Sequence, residues 1–308
     1  MPTLRFQLFG KFSVHRGAQL LKGLDAGKDQ ELLSYLLVRR DRCHPRETLA
    51  SLLWGDTSTE RSKKYLRQAL WHVQTALEDG EPDGAHVLLV GHDWIQLNVQ
   101  SELWLDVALF ERAFATTHGV PGKLLDAASA QMLKDAVALY KGDLLEGWYQ
   151  DWCLFERERL QNLYLSMLEK LLAYSEEHSE YETGHGYGLT MLRYDRARER
   201  THQQLMLLQY RAGDRTGALR QYERCVRALD EELGVKPQRY TADLYEQIRA
   251  DRLNEAEIST GQSASLPPAS LPEVLGRLKR LQLVLETVQK RVQRDIKAVE
   301  QGLEIIRH

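Results

Sequence analysis

The sequence predicts a mainly α protein with a small β component, and three observations support this fold class. Three amphipathic helical segments between about residues 28 and 78 are flanked by segments that alternate like strands. Helical periodicity then continues almost without a break from about residue 106 to residue 250. From residue 273 to residue 308, apolar side chains recur at spacings of four and three, the pattern of a coiled-coil helix.

The first segment predicts two strands. Leu4, Phe6 and Leu8 alternate with polar residues, and Phe12 and Val14 repeat the pattern after Gly10. Two strands need a further partner or a helix for stability, so we expect this pair to pack on the helices after it.

Three helices are expected next. The first begins near Lys28, and the second has Pro45 in its first turn and ends at Gly55. The third extends from about Thr59 to Glu78, with Ser58 and Thr59 as equal candidates for its N-cap. Its apolar stripe consists of Leu66, Leu70, Val73 and Leu77.

A hairpin closes this region. Residues 86–90 and 95–99 have strand patterns, and the turn between them reads Gly91-His92-Asp93-Trp94. Strands, three helices and a hairpin in this order are typical of a winged helix-turn-helix, which would occupy residues 1–105.

The third helix presents cations away from its apolar stripe. A helical wheel places Arg61, Lys64, Gln68 and Trp71 on the opposite face, with Lys63 and Arg67 on its flanks. Residues 39–67 carry eight basic and four acidic side chains, a local excess that could bind a phosphate backbone. The alternative is that these are only the solvated charges of an amphipathic helix; the position of the hairpin favours DNA binding.

Residues 106–252 predict helical repeats. Ser179-Glu180-Tyr181 and Gly213-Asp214-Arg215 both look like turns between helices. Gly184 and Ala218, both small, are separated by the same offset as the two turns. That offset matches the period of about 34 residues, with paired helices, that is typical of tetratricopeptide repeats.

Two further segments complete the chain. A Ser- and Pro-rich linker at 253–272 follows the helical repeats. The coiled-coil helix at 273–308 comes last, and it must pair with another copy or pack on a neighbouring surface, because a single helix with such a seam is unstable alone.

The composition and the remaining motifs favour a non-enzyme. The net charge is −3, so DNA affinity must be local, and three dispersed cysteines suggest neither a zinc site nor disulfides. The segment from Gly23 to Asp29 is one residue too short for a P-loop, and Asp29 replaces the Ser or Thr that would hold magnesium. We therefore predict no catalytic residues, cofactor or metal. With no signal peptide or membrane span in the sequence, we expect a cytoplasmic protein.

Five segments resemble a known family. LRFQLFGKFSV (4–14), GKDQELLSYLLVRRDRCHPRETLASLLWGD (27–56) and KKYLRQALWHVQTAL (63–77) look like the winged helix of SARP-type regulators, the activators of antibiotic pathways. YKGDLLEGWYQDWCLFERERL (140–160) and RALDEELGVKPQRYTADLYEQI (227–248) look like their bacterial transcriptional activator domain. The resemblance covers about residues 1–250.

The resemblance implies an OmpR-like DNA-binding domain and assigns roles to residues. Lys64, Arg67, Gln68 and Trp71 would face the major groove of double-stranded DNA, with Arg61 and Lys63 near phosphates. The loop Gly55, Asp56, Thr57, Ser58 and Thr59 would meet RNA polymerase. In the wing, His92 would approach the DNA backbone, although the turn lacks the Lys or Arg expected there.

The resemblance also implies a homodimeric activator that binds promoter repeats and recruits polymerase. It leaves room for an unidentified small-molecule or protein effector of the helical domain, and no membrane partner is expected. A signalling adaptor or ligand sensor built on the helical repeats, without DNA binding, is the alternative. Sequence does not separate an activator from a repressor, because both use the same groove contacts.

Overall fold

The computed structural model describes residues 4–24, 27–78, 86–98, 100–101 and 103–253. It confirms the mainly α fold with a small β component. The described residues up to Ala250 form one compact unit. The predicted coiled-coil helix (273–308) and all but the first residue of the predicted linker lie outside the described residues, and the proposed domain boundaries stay predictions.

The N-terminal sheet has four strands in the order β3-β2-β1-β7. Their bounds are β1 Leu4–Gln7, β2 Ser13–Arg16, β3 Gln19–Leu20 and β7 Leu103–Leu105. Phe6 lies opposite Val14 in the antiparallel β1–β2 pair and opposite Leu105 in the parallel β1–β7 pair. All three side chains are buried, so the inner face of the sheet contributes to the core.

The three predicted helices follow as α1 Gly27–Val38, α2 Arg46–Trp54 and α3 Thr59–Glu78. The expected stripe of α3 is buried along its whole length: Leu66, Leu70, Val73 and Leu77 are each at most 3% exposed. Because α3 begins at Thr59 and the Ser62 N–H donates to the Ser58 carbonyl at 2.9 Å, Ser58 occupies the N-cap position.

The hairpin is one part of a three-stranded sheet in the order β4-β6-β5. Strands β5 Leu88–Val90 and β6 Trp94–Leu97 form the predicted hairpin, and β4 His44–Pro45 adds to its edge. Pro45 therefore ends β4 and immediately precedes α2, instead of lying in the first turn of that helix. Its ψ of 134° is extended, which continues the strand up to the helix start.

The helical region has seven α-helices among the described residues. They are α4 Asp106–Thr116, α5 Ala127–Leu139, α6 Asp151–Glu177, α7 Tyr181–Tyr194, α8 Glu199–Arg211, α9 Arg215–Leu233 and α10 Arg239–Ala250, with a 3-10 turn at Gly122–Leu124. The starts of α7 and α9 keep the spacing that the sequence offset predicts. Gly184 and Ala218 are both buried early in these helices, which shows why small residues stand there.

The two predicted domains share one continuous core. Phe9, just after β1, packs its ring against Phe110 of α4 at 5.0 Å and against Tyr140 at 4.8 Å. The buried Asp106 carboxylate accepts hydrogen bonds from the backbone N–H groups of Leu8 (2.8 Å), Phe9 (2.9 Å) and Val107 (2.7 Å). One side chain thus satisfies backbone donors on both sides of the predicted boundary.

Candidate nucleic-acid interface

The outward face of α3 carries the six side chains predicted to meet DNA. Arg61, Lys63, Lys64, Arg67, Gln68 and Trp71 are all exposed. Trp71 is 64% exposed, so its indole is outside the core and available to a partner. The arrangement follows from the buried stripe, because a helix packed along one side turns the remaining positions outward.

The cations of this face differ in their partners. The Lys63 ammonium lies 2.6 Å from the Glu47 carboxylate of α2, so part of its charge is already compensated. No carboxylate among the described residues lies within ion-pair distance of Arg61, Lys64 or Arg67. These three side chains are the ones best able to bind phosphates or base edges without first breaking a contact.

A groove of about 1000 Å³ lies between the start of α2, the first half of α3 and the wing turn. Of the predicted residues, Lys63, Arg67 and His92 line it, whereas Arg61, Lys64, Gln68 and Trp71 do not. Its lining also contains Arg46 and three carboxylates, those of Glu47, Glu60 and Asp93. Sequence patterns did not assign these four residues to a site, because the groove joins segments from distant parts of the winged helix.

The wing turn is attached to the start of α2. The Arg46 N–H donates to the Asp93 carbonyl at 2.9 Å, and its guanidinium donates to the Gly91 carbonyl at 3.1 Å. The His92 ring is almost fully exposed and lies against the Asp93 carboxylate. The wing tip therefore offers an imidazole next to a negative charge, a poorer phosphate ligand than the missing Lys or Arg.

The loop predicted to meet RNA polymerase is accessible. Gly55, Asp56, Thr57, Ser58 and Thr59 are all exposed. The backbone N–H and the hydroxyl of Thr57 both donate to the Trp54 carbonyl, at 3.1 and 2.9 Å, which fixes the loop to the end of α2. The loop is thus a defined surface, and its partner stays a prediction.

Asp29, the residue that breaks the P-loop pattern, has a structural partner. Its buried carboxylate lies 3.0 Å from Nδ1 of His72, so it links α1 to α3. Within the described part of the chain, no group of three or more His, Cys, Asp or Glu side chains could hold a metal ion. No helix there is long and apolar enough to cross a membrane.

Comparisons with known proteins agree with this architecture. Residues 105–249 match the family model of the bacterial transcriptional activator domain. The chain is 26% identical over 276 residues to regulatory protein AfsR of Streptomyces coelicolor and 25% identical to regulatory protein AfsR of Streptomyces griseus. Each match covers 88% of this chain and 27% of the relative, so the chain spans about a quarter of the length of these curated relatives.

A solved structure shares the fold. Mycobacterium tuberculosis EmbR, solved in complex with a low-affinity phosphopeptide, superposes with a TM-score of 0.62 at 18% sequence identity. The match covers 83% of this chain and 67% of EmbR. The molecule is therefore a winged-helix protein that carries a bacterial transcriptional activator domain. The resemblance to SARP-type regulators is confirmed by these matches.

Proposed function

We propose that this chain is a sequence-specific DNA-binding transcription regulator that activates promoters by recruiting RNA polymerase. The observation that carries the proposal is the exposed face of α3, where Arg61, Lys64 and Arg67 have no ion-pair partner among the described residues. Arg and Lys bind phosphates and guanine edges, and Gln68 suits adenine. A helix of 20 residues on a buried support is the element that winged helices insert into the major groove.

The other partners follow from this role. The exposed loop Gly55–Thr59 next to the DNA-facing helix is the surface that we assign to RNA polymerase. The reaction would be recruitment, in which no bond is made or broken, so we infer that the chain is not an enzyme and acts in the cytoplasm. The helical domain, residues 106–252, would be the region that binds an unidentified small-molecule or protein effector.

Selection from fragmented genomic DNA tests the proposal. The wild-type chain should enrich a repeated motif, and its affinity should fall steeply with salt, because bound phosphates release counterions. The double variant Lys64→Glu with Arg67→Glu should lose this binding and keep its circular dichroism spectrum. A control, Lys236→Glu with Arg239→Glu, makes the same charge change at exposed positions just before α10 and at its first residue, where Arg239 pairs only with the exposed Asp243 among the described residues, and it should bind like wild type.

Two other results would argue against the proposal. Weak binding without a motif by all three proteins would make the winged helix a structural platform and favour the adaptor. Equal motif selection by wild type and the Lys64/Arg67 variant would reject α3 as the DNA-reading helix.

We also propose a homodimer, because the heptad pattern of residues 273–308 needs an apolar partner. Light scattering should give a dimer mass for the full chain and a monomer mass after deletion of these residues. A dimer mass after deletion would place the dimer contact elsewhere in the chain, and a monomer mass for the full chain would mean that the helix packs on its own chain.

A further inference from the structure

Two arginines of the winged helix meet two carboxylates of the activator domain. Arg39 and Arg40 follow α1, and they form ion pairs with Glu156 of α6 and Glu111 of α4. Arg159 of α6 joins the two pairs: its guanidinium lies 2.8 Å from Glu156 and also contacts Glu111. Five side chains of alternating charge therefore form one network between the two halves.

Glu156 is the most buried of these carboxylates. Its side chain is only 3% exposed, against 20% for Glu111. A buried charge is tolerated only where partners compensate it, and removing one partner leaves an uncompensated charge in the interior. The position of Arg39 is therefore strongly linked to the position of α6.

The same arginine supports the base of the wing. The Arg39 carbonyl accepts a hydrogen bond from Nε2–H of His44 at 2.9 Å, and burial lowers the pKa of His44, which keeps the ring neutral. His44 belongs to β4 and lies opposite Ile95 in β6, so it forms part of the wing sheet.

An aromatic contact runs parallel to this link. The Tyr35 ring of α1 lies between the rings of His44 and Trp152, 5.3 Å from each and nearly perpendicular to the indole. Trp152 belongs to α6, and its indole N–H points at Glu31 of α1 at 3.4 Å. Two routes, one ionic and one aromatic, therefore connect the start of α6 to strand β4.

We propose that α6 positions the wing on DNA through Glu156 and Trp152. Both are positioning residues, because they hold the wing in place without contacting DNA themselves. This inference rests on the proposed DNA binding. Neither residue lies on the exposed face of α3 or lines the groove beside it. Phosphate contacts fix the register of a protein on DNA, and backbone N–H groups can make them where a turn lacks Lys or Arg. A wing held at a different angle would therefore lose register even with α3 intact.

The variant Glu156→Gln tests the inference, because the expected change in DNA affinity is opposite to the change that the lost charge alone would cause. Removing a negative charge should strengthen attraction to DNA, whereas misplacing the wing should weaken binding to the selected motif. We expect about a tenfold loss of affinity for the motif, in the range of coupling between distant sites. Affinity for random DNA should fall less than affinity for the motif, because Arg61, Lys64 and Arg67 are unchanged. Hydroxyl-radical footprints should lose protection on the wing side only.

Glu169→Gln is the matched control on the same helix. Glu169 pairs with Arg198 at 2.9 Å and Arg200 at 3.2 Å, all within the helical repeats. It makes the same chemical change and the same change in net charge as Glu156→Gln, without touching the winged helix. We expect wild-type affinity for the motif and an unchanged footprint.

Arg39→Gln breaks the same pair from the other side, at a side chain that is 37% exposed, and it leaves the buried Glu156 carboxylate paired with Arg159 at 2.8 Å. Alone it should weaken motif binding like Glu156→Gln, and the double variant should be no weaker than either single variant, because the two act through one contact. If Glu156→Gln does not fold, Arg39→Gln decides the question.

The outcomes distinguish the proposed DNA binding from the positioning role of Glu156 and Trp152. A wild-type chain that selects no motif rejects the proposed function and this inference with it. A wild-type chain that selects a motif, together with folded Glu156→Gln and Arg39→Gln variants that keep full affinity and the full footprint, overturns the positioning role alone. A loss of motif binding that also occurs in Glu169→Gln overturns it as well, since the effect would then be one of general stability.

Discussion

Replacing Glu47 with Gln should tighten DNA binding. Glu47 is 79% exposed in the first turn of α2 and holds the Lys63 ammonium at 2.6 Å. In the Gln variant, Lys63 is free to bind a phosphate, and one negative charge is removed from the groove beside α3. The fold should tolerate the change, because an exposed ion pair contributes about 1 kcal/mol or less.

The size of the effect follows from counterion release. Each phosphate neutralised by the protein adds roughly 0.9 to the slope of log affinity against log salt. One new contact by Lys63 should therefore steepen the loss of affinity between about 50 and 200 mM salt by a further factor of about 3.5, which is four raised to the power 0.9. At the lower salt concentration the variant should bind more tightly than wild type.

Fluorescence anisotropy with a labelled duplex, measured across salt concentrations, gives both quantities. The matched control is Glu231→Gln, which removes the 3.0 Å ion pair to Arg196 on the helical repeats, leaves the 3.6 Å pair to Glu232, and should leave the slope unchanged. If Glu47→Gln has the wild-type slope, or if the control shows the same gain, Lys63 does not compete between Glu47 and DNA and our account of the groove is wrong.

Three further predictions concern stability. Asp106→Asn replaces one carboxylate oxygen with an NH₂ group that cannot accept a hydrogen bond, so the free energy of unfolding in urea should fall by about 1–3 kcal/mol. A fall of less than about 0.5 kcal/mol would mean that these hydrogen bonds do not stabilise the fold. In Gly188→Ala the new Cβ would overlap the Leu205 side chain, so the free energy of unfolding should fall by about 1–3 kcal/mol. Gly186 has open space around it, so Gly186→Ala should raise the free energy of unfolding by up to about 1 kcal/mol. Equal melting temperatures for the two variants would refute this. Burial lowers the pKa of His202, so the unfolded chain takes up a proton at a higher pH than the folded chain does. The stability that the neutral ring contributes should therefore be lost as the pH falls below about 6.5. The urea midpoint should drop between pH 7.5 and 5.5, and His202→Gln should reduce that drop.

Local sequence patterns predicted α3 well because residues close together in the sequence determine where this helix begins and which of its faces is buried. Its buried stripe recurs within each turn, and its start lies at a run of capping residues, so the sequence predicts both ends and the outward face. The exposure of Trp71 and of the cations beside it then follows from helix geometry alone. What these side chains bind does not follow from that geometry, and it remains part of the proposal.

The parts that sequence patterns missed depend on distant partners. β4 has two residues and β7 has three, too few for periodicity to show. Each strand is defined by a partner far along the chain, since His44 pairs with Ile95 and Leu103 pairs with Leu4. The acidic members of the groove, Glu47 and Asp93 among them, were missed for the same reason.

The hydrogen bonds of the Asp106 carboxylate limit which fragments of this protein can fold on their own. A fragment that ends at residue 105 keeps the Leu8 and Phe9 amides and removes the only acceptor that the described chain gives them. It also exposes the Phe9 ring, which packs on Phe110 in the whole chain. The winged-helix half should therefore fold poorly as an isolated fragment. A chimera that transfers the winged helix to another regulator should therefore also include helices α4 to α6, so that the packed contacts between the two halves are transferred together.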